Sequence, residues 1–238
     1  MSRKRTFLQL CQDYASEVGM DEGTPSSVDS QTGELNQLVK DIRAANIDLQ
    51  LYIEDWEFRR KTDFSGVTAS SSNDVTISVP TDSTTISSYD KGSFWINKTA
   101  ATAKQLFFLE YKDWHQNYNV GVQTNGEPEF LIEMPDGSLK VWPTADGVYT
   151  ITGDYFLTAV DFSASGGSAE YSVIPNDYHR LIVLWALIIY SKRESAPEYA
   201  DGSAWERDYL LERLIANQAP GRENSNRAQT TVTAVRAM

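Results

Sequence analysis

The stretch that decides the fold is residues 32–56, TGELNQLVKDIRAANIDLQLYIEDW. Its apolar residues fall at Leu35, Leu38, Val39, Ile42, Ala45, Leu49, Tyr52, Ile53 and Trp56. That three-and-four spacing is one face of an α-helix sustained over several turns. Thr32 stands where a capping hydroxyl is needed, and Glu34 lies in the first turn, where the helix dipole favours negative charge. A second, shorter stripe runs through Ala44, Ile47 and Leu51. A helix with two apolar stripes has neighbours on two sides. One neighbour lies in its own bundle; Ala44, Ile47 and Leu51 are then the candidate inter-subunit face, open to a copy of the chain.

Working outward, residues 6–18 carry Phe7, Leu10, Cys11, Tyr14 and Val18 on one helical face, and Gly19 ends that helix. From 57 to 172 the period changes. Val75, Ile77 and Val79 alternate with Thr76 and Ser78, a half-buried strand. Short β-rich runs recur at 93–97, 106–111, 129–133, 139–142 and 148–157, with turn signals at Asn125-Gly126, Asp136-Gly137 and Asp146-Gly147. The segments 62–72 and 81–88 are rich in Ser and Thr and read as loops or edge strands. Helix returns after Pro175, with Asn176 or Asp177 as cap, and runs over 178–193 through a centre that is apolar nearly all round. Trp185 is expected in its core, beside Leu38 or Ile42. Ser195 and Glu198 have capping-box spacing and Pro197 fits the first turn of a last helix, which carries Trp205, Tyr209, Leu210, Leu214 and Ile215. Gly202 weakens the first half of that helix.

The expected fold class is therefore α+β: a four-helix bundle from 1–56 and 173–217, with an inserted antiparallel β-sandwich or barrel over 57–172. Residues 218–238 form an extended C-terminal tail. The tail holds three arginines, Arg222, Arg227 and Arg236, against one acid, Glu223, so it is +2 while the rest of the chain is −14. It ends in Thr230, Thr231, Val232, Thr233, Ala234 and Val235, a run of high β propensity.

The chain has 238 residues, 41% of them hydrophobic, and a net charge of −12. It can bury a core, and its acidity argues against electrostatic grip on nucleic acid, which needs a basic surface. One cysteine excludes an internal disulfide and any multi-cysteine zinc site, and the two histidines show no metal spacing. The longest apolar run, 181–190, is about half of the roughly 20 residues a membrane span needs. No signal peptide is evident, so a soluble chain made in the cytoplasm is expected. No phosphate-binding loop, nucleophile elbow or cofactor motif is present. Asp113-Trp114-His115 is the most enzyme-like string, but no nucleophile accompanies it, and adjacent strand residues point to opposite faces. His179 reads as a capping or packing residue and Cys11 as core. Phe94, Trp95, Trp114, Tyr118 and Trp142 in the β region allow a carbohydrate-binding module, and the many carboxylates allow a cell-wall hydrolase.

The order of the pieces resembles the head-to-tail adaptor proteins of tailed bacteriophages, the group that includes tail tubular protein A. The resemblance is carried by Gln31-Thr32-Gly33-Glu34-Leu35 and Tyr52-Ile53-Glu54-Asp55-Trp56 in the second helix. In the β region it lies in Gly126-Glu127-Pro128, Leu139-Lys140-Val141-Trp142-Pro143, Gly147-Val148-Tyr149 and Asp154-Tyr155. Near the third helix it lies in Ile174-Pro175-Asn176-Asp177-Tyr178-His179 and Leu181-Ile182-Val183, and later in Tyr209 and Leu214. The resemblance implies a non-enzymatic virion protein without cofactor or metal, located in the neck. It implies a twelve-fold ring beneath the portal, which extends a channel for double-stranded DNA that passes without specific binding. It further implies docking of tail or nozzle proteins and no membrane partner. The tail, from Arg222 and Arg227 through Thr230–Val235 to Arg236, would be the arm that binds the portal protein.

Overall fold

The computed structural model describes residues 4–20, 23–78, 86–97, 103–120, 125–162 and 167–218. The elements begin with α1 (Phe7–Val18) and α2 (Gly33–Leu51). Strands β1 (Arg60–Thr68), β2 (Val75–Ser78), β3 (Ile86–Tyr89), β4 (Trp95–Asn97), β5 (Ala103–Gln105) and β6 (Phe107–Leu109) follow. Next come α3 (Tyr111–Asn117), β7 (Asn125–Gly126), β8 (Phe130–Glu133), β9 (Leu139–Trp142), β10 (Thr144–Ala145) and β11 (Thr150–Leu157). The chain closes with α4 (His179–Glu194), α5 (Pro197–Gly202) and α6 (Ala204–Gln218). The protein is α+β. It divides into two compact units, Met1–Arg59 with Ala159–Met238, and Arg60–Thr158.

In the helical unit, α1 opens on a full capping box. The Gln9 amide donates to the Thr6 hydroxyl at 3.2 Å, and the Thr6 amide donates to the Gln9 side chain at 3.0 Å. Gly19 closes it in the left-handed region, at φ 66°, as the sequence indicates. Helix α2 buries Leu38, Val39, Ile42, Ala45 and Leu49 against α1 and α4. Thr32 makes no side-chain cap, because the helix opens on Gly33 at φ 58° and leaves regular geometry there. The helix stops at Leu51, yet Trp56 folds back into the core and donates its indole N–H to the Leu49 carbonyl at 3.2 Å. Leu181, Ile182, Val183, Leu184, Ala186 and Leu187 of α4 are buried among α1, α2 and α6. Burying each large side chain stabilises the fold by about 1.5–3 kcal/mol.

Several local expectations are corrected here. Asn176 and Asp177 sit in a 3-10 turn before α4, and Tyr178 occupies the cap position. Ser195 caps no helix N-terminus; it ends α4 in the left-handed region at φ 54°, and Ala196 precedes α5. Trp185 is half-buried and lies edge-on to Tyr52, 5.5 Å between ring centroids. The last helix is broken after Gly202, the residue that weakens it, into α5 and α6.

In the second unit one sheet runs β2-β1-β11-β4-β5, with β3 also paired to β11, all antiparallel. A three-stranded sheet runs β6-β8-β9. The β8–β9 hairpin turns at Asp136-Gly137, with Gly137 at φ 80°, as its sequence signals. Two pairings, β6 with β8 and β7 with β10, are parallel rather than antiparallel. The Ser/Thr-rich run 62–72 holds most of β1, an interior strand and not a loop or edge. Its Phe64, Gly66 and Thr68 alternate inward, and Phe64 meets Tyr89, Phe94 and Tyr155 edge-on. Arg60 ties the sheet to its loops by pairing with both Asp90 and Asp154.

Candidate functional site

The stripe of Ala44, Ile47 and Leu51 lies on the side of α2 away from Leu38, Ile42 and Leu49. Ala44 is exposed, Ile47 half-buried and Leu51 58% exposed. Lys40 and Asp48 flank the stripe, both exposed and neither ion-paired among the described residues. Of its two apolar stripes, α2 thus covers one from its own chain.

A second apolar face escapes a reading of the sequence that asks only whether the last helix has apolar residues. On α6, Leu211 and Leu214 are buried. At 100° per residue, Trp205 and Tyr209 fall on the opposite side. Trp205 is 79% exposed and Tyr209 48%, and their rings stack in parallel, 5.6 Å between centroids. The Arg213 guanidinium lies 5.6 Å from the Tyr209 ring centroid. Asp208 and Glu212 are exposed on the same side. The signal was present in the spacing: Trp205, Tyr209 and Arg213 follow one another at i+4, out of phase with the leucines.

The candidates for chemistry are scattered or structurally engaged. Cys11 is fully buried, and burial pushes its thiol up to about 12. Asp113 and His115 lie on exposed positions of α3, a helix where a strand was expected, and the His115 ring stacks on Tyr111. His179 is fully buried. Its Nδ1 accepts from the Arg5 amide at 3.2 Å and its Nε2 lies 2.9 Å from the Ile174 carbonyl. Burial lowers its pKa from the ordinary 6.5, partly offset by the Ile174 carbonyl, which can accept from the charged ring. This histidine fastens the start of α4 to the N-terminal segment.

The strongest polar cluster is also structural. Asp41 is 1% exposed and receives the Arg193 guanidinium at 2.6 and 2.8 Å, the Tyr14 hydroxyl at 2.8 Å and the Gln37 amide at 3.0 Å. Burial works against charge on Arg193, but the hydrogen bonds to Asp41 and Glu194 outweigh it and raise its pKa. Burial raises the Tyr14 hydroxyl, as does the neighbouring Asp41 charge. A cavity of about 490 Å³ opens beside this cluster, lined by Met20, Leu38 and Tyr190 among others, and contains no nucleophile paired with a base. In the second unit a cavity of about 660 Å³ carries Glu110 and Glu133 together with Lys91 and Lys112.

Of the aromatics in the β region, Phe94 and Trp114 are buried in the fold. Tyr118 packs on Trp142, 4.5 Å between centroids, and Trp95 is 46% exposed. They do not form one exposed platform. Among the described residues no group of three or more His, Cys, Asp or Glu is placed to hold a metal ion. Among them no helix is long and apolar enough to cross a membrane. Arg222, Arg227, Thr230, Thr231, Val232, Thr233, Ala234, Val235 and Arg236 lie outside the described residues.

Against known proteins, the family model described as SU10 adaptor protein matches residues 5–236. No curated protein matches the chain.

Proposed function

The chain belongs to the SU10 adaptor protein family, and on that footing we propose that it is a structural, non-catalytic virion protein, the head-to-tail adaptor of a tailed bacteriophage. The observation that carries the reading is the match itself, which covers both units and nearly the whole chain. Copies of the chain form a ring of twelve in the neck, below the portal. Helices α1, α2 and α4 with the broken α5–α6 pair act as the four-helix bundle of that ring, and the second unit is the inserted β-sandwich on which tail or nozzle proteins dock. The open stripe of Ala44, Ile47 and Leu51 supports a contact between neighbouring copies. The net charge of −12 supports a lumen that double-stranded DNA slides through, since like charge opposes sticking.

The segment 218–238 is the portal-binding arm in this reading. Its charge is opposite to that of the body, and Thr230 to Val235 can add as a strand to an exposed sheet edge. Many arms binding at once raise avidity far above that of one. Co-sedimentation with purified portal protein of the same phage tests both levels. The full chain is expected to pellet with the portal, and a chain ending at Gln218 is expected to stay folded by circular dichroism and remain in the supernatant. A full chain that stays in the supernatant overturns the adaptor reading. A shortened chain that still pellets overturns the arm alone.

A further inference from the structure

Two apolar helix faces of the helical unit point away from its core. One is the stripe of Ala44, Ile47 and Leu51 on α2, and the other is the Trp205–Tyr209 stack on α6. We propose that they are the two halves of one contact, the α6 face of one copy docking on the α2 stripe of the next. The proposal rests on the ring reading above and names the surfaces that would build it.

The chemistry of the two faces favours this pairing over α6 meeting α6. Trp205 and Tyr209 have the character of interface anchors: large, rigid, and held in place by their mutual stacking. The α2 stripe offers a shallow receiving surface, because the small Ala44 leaves room on the N-terminal side of Ile47 and Leu51. Charge decides the rest. The α6 face carries exposed Asp208, which pairs with Arg207 on its own helix at 3.0 Å, and exposed Glu212 beside the aromatics. A symmetric α6 contact would bring these acids against their own copies, which is repulsive. The α2 stripe instead presents Lys40, which has no ion-pair partner among the described residues, to those acids. It also presents Asp48, likewise unpaired among them, to Arg213. Because the two surfaces are different patches of the same chain, the contact is head-to-tail, the kind that generates rings when the rotation closes. A single helix face buries less than the roughly 1,200 Å² of a stable standard interface, so one pair alone is weak and closure or a template is needed.

Cross-linking separates this contact from the alternatives. Ala44→Cys and Ala216→Cys, exposed positions on the two faces that leave Leu51, Trp205 and Tyr209 in place, are made in separate chains, and each chain alone and their mixture are treated with a short bis-maleimide. The native Cys11 is fully buried and does not compete. The reaction is run on portal-bound protein and on concentrated free protein, so that loss of portal binding leaves the readout intact. The proposal expects a cross-linked dimer in the mixture at least about tenfold above either chain alone. Trp205→Ala, at an exposed position, should keep the melting temperature of the native chain and lose ring assembly. Dimers from Ala216→Cys alone, no mixed product under either condition, or normal rings from Trp205→Ala would overturn the proposal. If the protein still binds portal in any of those cases, the adaptor reading stands without it.

Discussion

At the scale of single residues, the ion pair of Asp41 and Arg193 has an asymmetry that mutation can expose. Asp41 is 1% exposed, whereas the Arg193 side chain is 33% exposed. Arg193→Met therefore strands a buried carboxylate, at a cost of about 3 kcal/mol. Asp41→Leu leaves a guanidinium that can reach water, and should cost clearly less. Urea melts of the two variants check the order; equal losses would show that burial does not set the cost. His179 gives a pH dependence of known sign. Its folded pKa is lowered by burial, so the unfolded chain binds the proton more readily. The neutral side chain stabilises fully above about pH 6.5, and that contribution is lost as pH falls toward the folded value. The urea midpoint should drop as pH falls below about 6.5, and less so in His179→Asn. The packing role of His179 and the core role of Cys11 could be read from their places in helices. The partnership of Asp41 with Arg193 could not, because it joins residues far apart in the chain.

At the scale of elements, helices were legible where one apolar face repeated, as in α1, α2 and α4. Their ends were less legible, since a cap depends on backbone geometry that a residue type only suggests. Thr32 and Ser195 are both good capping residues, and neither caps a helix start, because Gly33 and Ser195 itself take left-handed conformations. Strand β1 was hidden by its Ser/Thr-rich, partly charged sequence; it becomes interior only through pairing with β2 and β11. Helix α3 was masked by aromatic residues that favour strands. Two glycines separate local demands on the helices. Gly19 sits at φ 66°, so Gly19→Ala should cost about 1 kcal/mol. At Gly202 an added Cβ would meet no atom within 4 Å, and the φ there is ordinary. Gly202→Ala should raise stability by about 0.5–1 kcal/mol. Thermal melts of both variants check the pair, and opposite signs are the result expected.

At the scale of the entire chain, the adaptor family was more legible than which helix faces stay open. Composition and motif spacing left no catalytic set, and the order of helix, β region, helix and tail pointed to an adaptor. Which surfaces stay open depends on how each helix rotates against its neighbours, and that rotation turns inward the Leu211 and Leu214 side of α6 and leaves Trp205, out of phase with them, exposed. The net charge of −12 opposes self-association, so the free chain should be a monomer by light scattering at physiological salt. A stable ring of the free chain would contradict that. The most direct test of the adaptor assignment is electron microscopy of purified portal rings incubated with the full-length chain. One additional ring of twelve copies is expected on a single face of each portal, coaxial with its channel. Portals that remain bare at saturating protein, or that bind scattered single copies with no ring, would contradict the assignment.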